Sequence, residues 1–316
     1  MIKDDLFNNV LVKPAEHGCE KLLIVSGYAS AAMASKHFEA IPASTKICLI
    51  VGMCPKDGIG FGNHLSFKKM VERDLKDRFY CRYIMDGPPV HAKTYTWVAG
   101  EKPSISFVGS ANYTHNGFFG GYTEVVSESD PKETHSMFKQ LFDRSVSCDN
   151  ADVESMVIFY DERCRRTKDV ENVVSKKKKE IPYKGPDSIR LSFLDRQGRV
   201  PVQSGLNWGQ RLGRDKNQAY LRIPAEIART GFFPPRRHHF NVVTDDGESI
   251  LCVIAQDNDK AIESKPSNAI LGSYFRRRLG LPSGALVLAD HLDIYGRTDI
   301  AIYKIDDENY YLDFSV

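Results

Sequence analysis

Several things are missing from this chain, and each absence narrows the choices. Net charge is only +2, from 43 Lys and Arg against 41 Asp and Glu, so bulk charge does not announce a polyanion binder. No apolar run approaches membrane-spanning length, so no transmembrane helix and no membrane partner are expected. Met1 to Asn9 carries Lys3, Asp4 and Asp5 and no apolar stretch, so no secretory leader is expected. The seven cysteines are scattered, odd in number and without a Cys-x-x-Cys pair. Buried reduced thiols in a cytoplasmic protein are therefore expected, not a disulfide frame or a zinc site. The adjacent His238 and His239 would point apart on a strand, so no metal site is expected there. No phosphate-binding Gly-Lys-Ser loop is present. No cofactor is expected in this chain, and any ATP handling would belong to a partner subunit.

What is present is uneven. At 316 residues with 42% hydrophobic content, the chain has room for two domains with their own cores. Residues 1–160 hold 17 Lys/Arg against 19 Asp/Glu, net −2, and residues 161–316 hold 26 against 22, net +4. Within 186–240 the balance is 10 against 4, a local basic excess that by itself suits an ordinary solvated face and would also suit a DNA-reading surface.

The first half alternates strands and helices. Lys21 to Val25 reads as a strand ending in Ser26-Gly27-Tyr28, and a helical segment with Met33, Phe38 and Ile41 inward follows. Ile47 to Val51 is almost wholly apolar, as a strand buried on both faces would be. Leu65 to Phe79 reads as an amphipathic helix carrying Met70, Val71 and Leu75, and Phe79 to Met85 as a strand. Asp130-Pro131-Lys132-Glu133 combines an N-cap acid, a first-turn proline and a capping-box glutamate, with Phe138, Leu141 and Phe142 then facing the core. The pattern predicts an α/β sandwich over 1–160.

Residues 161–186 read as a basic linker. Arg163, Arg165 and Arg166 precede Lys176 to Lys179, and Pro182 and Gly185-Pro186 punctuate the end. From 187 to 316 the pattern becomes short strands and turns. Candidate strands are Ile189 to Leu194, Ala219 to Ile223, His239 to Val243, Leu251 to Ile254, Ala285 to Leu288, Thr298 to Ile305 and Tyr310 to Phe314. One helix is predicted over Asn268 to Leu279, stopped by Gly280. This predicts an all-β pseudobarrel.

Chemistry concentrates at His91-Ala92-Lys93, Gly109-Ser110-Ala111-Asn112 and Glu124. Taken singly, each residue is a strand or turn residue of no special meaning. Together they can cut a phosphodiester. Histidine serves as nucleophile, lysine and asparagine hold phosphate oxygens, and a carboxylate orients the imidazole. Residues 91 and 93 share a face if they lie on one strand. Gly109-Ser110 ends the apolar run Ile105 to Val108, which puts Asn112 at the carboxyl end of a neighbouring strand.

This set resembles the phospholipase D superfamily, whose pattern is His-x-Lys, four residues, Asp, then Gly-Ser-x-Asn. The chain departs from the pattern at the aspartate, where it has Val98. The branch containing the restriction enzyme BfiI also lacks that aspartate and uses a glutamate after Gly-Ser-x-Asn, which here falls on Glu124. The second half resembles the pseudobarrel of plant B-three transcription factors and of the restriction enzymes BfiI and EcoRII. The resemblance rests on Ser204 to Arg211, Ala219 to Pro224, Gln256 to Asn258 with Lys260, and Tyr274 to Gly280. As a whole the chain resembles NgoFVII-type restriction endonucleases.

That resemblance implies a prokaryotic, cytoplasmic, metal-independent nuclease that cuts double-stranded DNA through a phosphohistidine. It further implies a homodimer with one shared active site, a cognate DNA methyltransferase, and in some relatives a separate ATPase that translocates DNA. Catalysis would fall to His91, Lys93, Ser110, Asn112 and Glu124, with no metal. Two arms would grip the major groove, one over Ser204 to Lys216 and one over Gln256 to Asn268. Ser204, Asn207, Gln210, Arg211, Arg214, Asp215, Arg222, Asp257, Asn258, Lys260 and Arg276 supply donors and acceptors suited to base edges and phosphates. Trp208 is read as an arm-base or core residue. A lipid phosphodiesterase of the same superfamily and a catalytically dead DNA-binding regulator are the competing readings.

Overall fold

The computed structural model describes residues 1–162 and 188–316 apart from residue 121. The chain divides into two compact units, whose described parts are these two stretches. The arginine and lysine runs from Arg163 to Lys179 lie outside the described residues.

Among the described residues of the first unit are nine strands: β1 (Lys21–Ser26), β2 (Lys46–Val51), β3 (Ile59–Gly60), β4 (Phe79–Ile84), β5 (Lys93–Ala99), β6 (Lys102–Gly109), β7 (Val126–Glu128), β8 (Ser145–Ser147) and β9 (Phe159–Tyr160). Seven form one sheet in the order β7-β6-β5-β1-β2-β4-β8. The centre, β1-β2-β4, is parallel, and β5 and β8 are added antiparallel on either side. Parallel strands need crossover connections, and the helices Ala31–Ala40 and Phe61–Lys69 supply them. Apolar residues on both faces of β1 and β2 suit helices on both sides. On one face Leu23, Val25, Cys48, Ile50 and Ile84 pack against Phe138 and Leu141 of the helix Pro131–Asp143. On the other, Phe79 meets Phe38 and Phe67 edge-on or tilted. The result is the expected α/β sandwich.

Local expectations met different fates. Asp130 does cap its helix, accepting from the Lys132 N–H at 2.8 Å. Phe142, expected inward, is 40% exposed and carries the Arg82 guanidinium 3.9 Å above its ring. The helix expected over Leu65 to Phe79 begins at Phe61, passes into a π-turn over Met70–Asp74, and gives way to β4 at Phe79. Its early start has a long-range cause. The buried Glu162 carboxylate accepts from the N–H groups of Gly62 (3.1 Å) and Asn63 (2.9 Å), satisfying first-turn donors that no local residue caps.

The second unit holds β10 (Ser188–Ser192), β11 (Leu221–Arg222), β12 (His239–Thr244), β13 (Ser249–Ala255), β14 (Ala261–Ser264), β15 (Asp299–Lys304) and β16 (Asn309–Asp313). They form a sheet in the order β10-β15-β16-β12-β13-β14-β11, and its two edge strands return to one another. This nearly closed barrel encloses Phe240, Val242, Ile254, Ile262, Ile300 and Leu312, with Leu271 and Phe275 of the helix Ala269–Arg278 packed in. Gly280, at φ 67°, follows the helix as expected. The stretch Ala285 to Leu288 is not a strand. The Asn207 side chain takes both the Val287 carbonyl (2.8 Å) and the Val287 N–H (2.9 Å), so that segment's polar groups are satisfied without a ladder. Strand β14 was not anticipated from the sequence.

Candidate functional site

Register brings the catalytic candidates together. Ser26, the last residue of β1, lies opposite Lys93, the first residue of β5. Thr94 lies opposite Val108 near the end of β6. The carboxyl ends of β1 and β6 therefore flank the start of β5, where Lys93 stands and His91 just precedes it.

The Lys93 ammonium is 3.0 Å from His91 Nε2 and 2.8 Å from the His91 carbonyl oxygen. An ammonium can only donate, so His91 Nε2 carries a lone pair and the neutral ring's proton sits on Nδ1. Lys93 itself is buried while His91 is exposed. Burial pulls the lysine below the ordinary ammonium range, and the Glu124 carboxylate opposes that shift.

Asn112 is turned into the same pocket. Its Oδ1 accepts from the Tyr28 N–H at 3.2 Å and lies 3.5 Å from Ser26 Oγ. With the oxygen engaged, the amide NH2 is the part of the side chain that remains to donate. Ser26 Oγ also donates to the Tyr28 carbonyl (2.6 Å) and accepts from the Tyr113 N–H (2.9 Å), which fixes the floor. Gly27 forms that floor because a Cβ there would lie 2.9 Å from His91 Cδ2 and 3.3 Å from Asn112 Oδ1. The Tyr28 ring meets the His91 ring edge-on, centroids 5.9 Å apart, and the Tyr28 hydroxyl donates to Asp57 Oδ2 at 2.5 Å.

Glu124 is placed differently from the expectation. Its carboxylate accepts from Ser110 Oγ, whose oxygen in turn accepts from the Val125 N–H at 3.1 Å. The hydrogen bond described at the His91 ring comes from Lys93, not from Glu124. Two other histidines are struts. His37 is bonded to Tyr113 Oη and the Leu11 carbonyl, both at 2.8 Å, and His64 to Tyr83 Oη at 3.1 Å. Burial lowers each to about 4, so neither is charged at neutral pH.

In the barrel the DNA-reading candidates separate into two groups. Arg211, Arg214, Asp215, Arg222, Asp257, Asn258 and Lys260 are exposed, with Ser204 and Gln210 half-buried. Several are braced. Arg211 Nε donates to the Gln203 carbonyl at 2.8 Å, and Gln210 donates to the Gly284 carbonyl at 3.0 Å. Arg214 donates to Gln218 at 2.9 Å and stacks 4.0 Å above the Trp208 ring, which makes Trp208 an arm-base residue. Asp215 accepts from the Asn217 N–H at 2.7 Å. Asp257 pairs with Arg236 at 3.2 Å, a partner the sequence did not suggest. Asn258 sits at φ 61° in the tight turn between β13 and β14. The two candidate arms share a root, since Arg222 lies opposite Ala261 and the Ile223 N–H donates to the Lys260 carbonyl at 2.7 Å.

Asn207 and Arg276 form the other group, and they correct the sequence reading. Both are buried, Asn207 at 0% and Arg276 at 1% exposure. Asn207 spends its amide on Val287 and the Pro201 carbonyl. Arg276 donates to the carbonyls of Ala285 (2.7 Å), Gly272 (3.1 Å) and Leu206 (3.2 Å). Such groups hold the arm base and leave no donor for a groove.

Comparison with known proteins covers both units. The model described as the NgoFVII restriction endonuclease N-terminal PLD domain matches residues 4–155. The model described as the NgoFVII C-terminal B3-like DNA-binding domain matches residues 182–306. No curated protein matches the chain. Among solved structures, NucT from Helicobacter pylori is similar at 16% identity and TM-score 0.33, covering 46% of this chain and 92% of NucT. A polyphosphate kinase from Porphyromonas gingivalis is similar at 13% identity and TM-score 0.27, covering 45% of this chain and 21% of the kinase. At these scores neither likeness bears on function. No helix among the described residues is long and apolar enough to cross a membrane. With the nuclease half and the DNA-binding half each matched in order, the chain belongs to the NgoFVII family of restriction endonucleases and is a site-specific nuclease.

Proposed function

We propose that this chain hydrolyses double-stranded DNA through a covalent phosphohistidine on His91, at a site chosen by the barrel. The observation that carries this reading is the 3.0 Å approach of the Lys93 ammonium to His91 Nε2, with Asn112 beside His91 over Gly27. It presents a lone pair where a nucleophile needs one and positive charge where phosphate oxygens must bind.

In the first step Nε2 attacks phosphorus, a P–N bond forms, and the bond to the leaving oxygen breaks. Lys93 and Asn112 stabilise the charge on the equatorial oxygens. A proton must reach the leaving oxygen, and the chain has one His-x-Lys segment. The donor is therefore His91 of a second copy, and the active site is shared in a homodimer. In the second step that imidazole, now neutral, takes a proton from water. The water oxygen attacks phosphorus, the P–N bond breaks, and His91 is regenerated. The two imidazoles act in complementary states, the nucleophile neutral and the proton donor protonated. Glu124 helps Lys93 keep its charge and, through Ser110, shapes the pocket wall. The buried ammonium supplies the electrostatic role that a metal ion fills in other nucleases, so the chemical step runs without one.

The exposed Arg211, Arg214, Asp215, Arg222, Asp257, Asn258 and Lys260, with Ser204 and Gln210, form the groove-facing surface. A cognate methyltransferase protects the host's copies of the site, and any ATP-driven translocation belongs to a separate subunit. The test is cleavage of supercoiled plasmid in excess chelator, with any required partner supplied. Wild type nicks or linearises the plasmid and His91→Ala does not, while both bind DNA equally. Cleavage by His91→Ala in chelator would overturn the reading.

A further inference from the structure

We propose that Tyr28, anchored by Asp57, is the positioning residue that keeps the His91 imidazole aimed during attack. This rests on His91 being the nucleophile.

The need for such a residue follows from Lys93. In the resting site its ammonium occupies the lone pair of His91 Nε2 at 3.0 Å. That lone pair must be empty-handed to attack phosphorus, and the same ammonium must move onto a phosphate oxygen. At the moment of reaction the ring loses its hydrogen-bonded restraint. His91 lies outside β5, on the segment that follows Gly87-Pro88-Pro89, and its side chain is exposed, so nothing in the strand ladder fixes its torsions. What stays against the ring is the floor. Gly27 lies close under Cδ2, and the Tyr28 ring packs edge-on at 5.9 Å and 78° between planes.

Tyr28 is suited to this because it is held at both ends. Its backbone N–H is bonded to Asn112 Oδ1 and its carbonyl to Ser26 Oγ, which ties it to the phosphate-binding amide. Its hydroxyl donates to Asp57 Oδ2 at 2.5 Å. Asp57 is half-buried at the end of the short helix Cys54–Asp57 that follows β2. A charged acceptor gives a strong hydrogen bond, so the ring cannot swing away from the imidazole when Lys93 leaves. One tyrosine thus fixes the nucleophile through its ring and the oxyanion donor through its backbone.

Four variants of the full chain test this, with DNA cleavage followed at saturating and limiting DNA: Tyr28→Phe, Tyr28→Ala, Asp57→Ala and Asp57→Asn. Misplacing a reacting group by about 1 Å costs on the order of a hundredfold in rate, and a smaller displacement costs less. Tyr28→Phe and Asp57→Ala are expected to lower kcat about tenfold, and Tyr28→Ala about a hundredfold, with KM unchanged. Asp57→Asn, which still accepts a hydrogen bond, is expected to recover most of the Asp57→Ala loss. Thermal midpoints of Tyr28→Phe and wild type should coincide. Wild-type kcat in Tyr28→Phe and Asp57→Ala, with His91→Ala dead, would overturn the positioning role and leave the nucleophile intact. A fall in kcat that tracks a fall in thermal midpoint across the variants would equally overturn it, as ordinary destabilisation. Full activity of His91→Ala would instead remove the reading on which it rests.

Discussion

The nuclease unit and the barrel use the same polar side chains in opposite ways. In the nuclease unit His91, Lys93, Ser110, Asn112 and Glu124 are gathered around the paired ends of β1, β5 and β6, and the key cation is buried. In the barrel the exposed candidates are spread along two loops rooted on β11 and β14, and the buried polar residues, Asn207 and Arg276, serve the scaffold. Chemistry needs a few groups fixed at one point, which a sheet edge provides. Recognition needs donors and acceptors spaced along a groove, which braced loops provide. Of the candidate residues, the buried one in the first unit, Lys93, stands in the site, whereas the buried ones in the second, Asn207 and Arg276, belong to the frame.

The largest effect that would test this contrast is on Arg276. Arg276→Met removes the donor to three buried carbonyls and should cost about 3 kcal/mol or more, since each buried acceptor left unpaired costs about 1–3 kcal/mol. Chemical denaturation should show the barrel transition moving and the nuclease transition staying. Equal stability of wild type and variant would mean that Arg276 is not a strut. Arg211→Ala and Arg214→Ala should do the reverse. Each is expected to leave stability within about 0.5 kcal/mol and to weaken DNA binding with a shallower salt dependence, by about one unit of slope for each phosphate no longer neutralised. Unchanged affinity and slope in both variants would remove this loop from the DNA interface.

A smaller effect separates the two units by pH. Lys93 must stay protonated to hold phosphate, and burial already lowers its pKa while Glu124 opposes that shift. Activity should therefore fall as pH rises through a lysine pKa below the usual range. Glu124→Gln removes the opposing charge, so the alkaline limb of kcat should move to lower pH, with DNA affinity of the barrel unaffected. A limb that stays put in Glu124→Gln would show that the carboxylate acts only through Ser110.

The grouping of the candidate catalytic residues was legible because they lie on short segments whose strand period and turn chemistry are local. His91 and Lys93 are two residues apart, and Ser110 and Asn112 follow directly on a strand end. Tyr28 and Asp57 were not legible as site residues, since the approach of Tyr28 to His91 depends on the pairing of β1 with β5 across a long stretch of chain. The placement of Glu124 on Ser110 depends likewise on the pairing of β6 with β7. In the barrel, an arginine or asparagine suited to a base edge is equally suited to a buried carbonyl, and residue type alone does not choose. Periodicity did hold a clue. Three consecutive helical arginines span about 200° around the axis, so Arg276, Arg277 and Arg278 could not share one face. Arg276 turns inward, Arg277 meets Glu248 at 2.7 Å, and Arg278 meets Asp245 at 2.7 Å. The strand expected at Ala285 to Leu288 failed for a similar reason, because a side chain, Asn207, took the place of a neighbouring strand.

The most direct test of the central claim, attack by His91 on phosphorus, is the stereochemistry of cleavage. A DNA substrate carrying one phosphorothioate diastereomer at the scissile position is cut in isotopically labelled water, and the configuration at phosphorus is read in the product. Two successive in-line displacements, first by His91 and then by water, predict overall retention. Inversion would mean that water attacks directly, and it would contradict the phosphohistidine account.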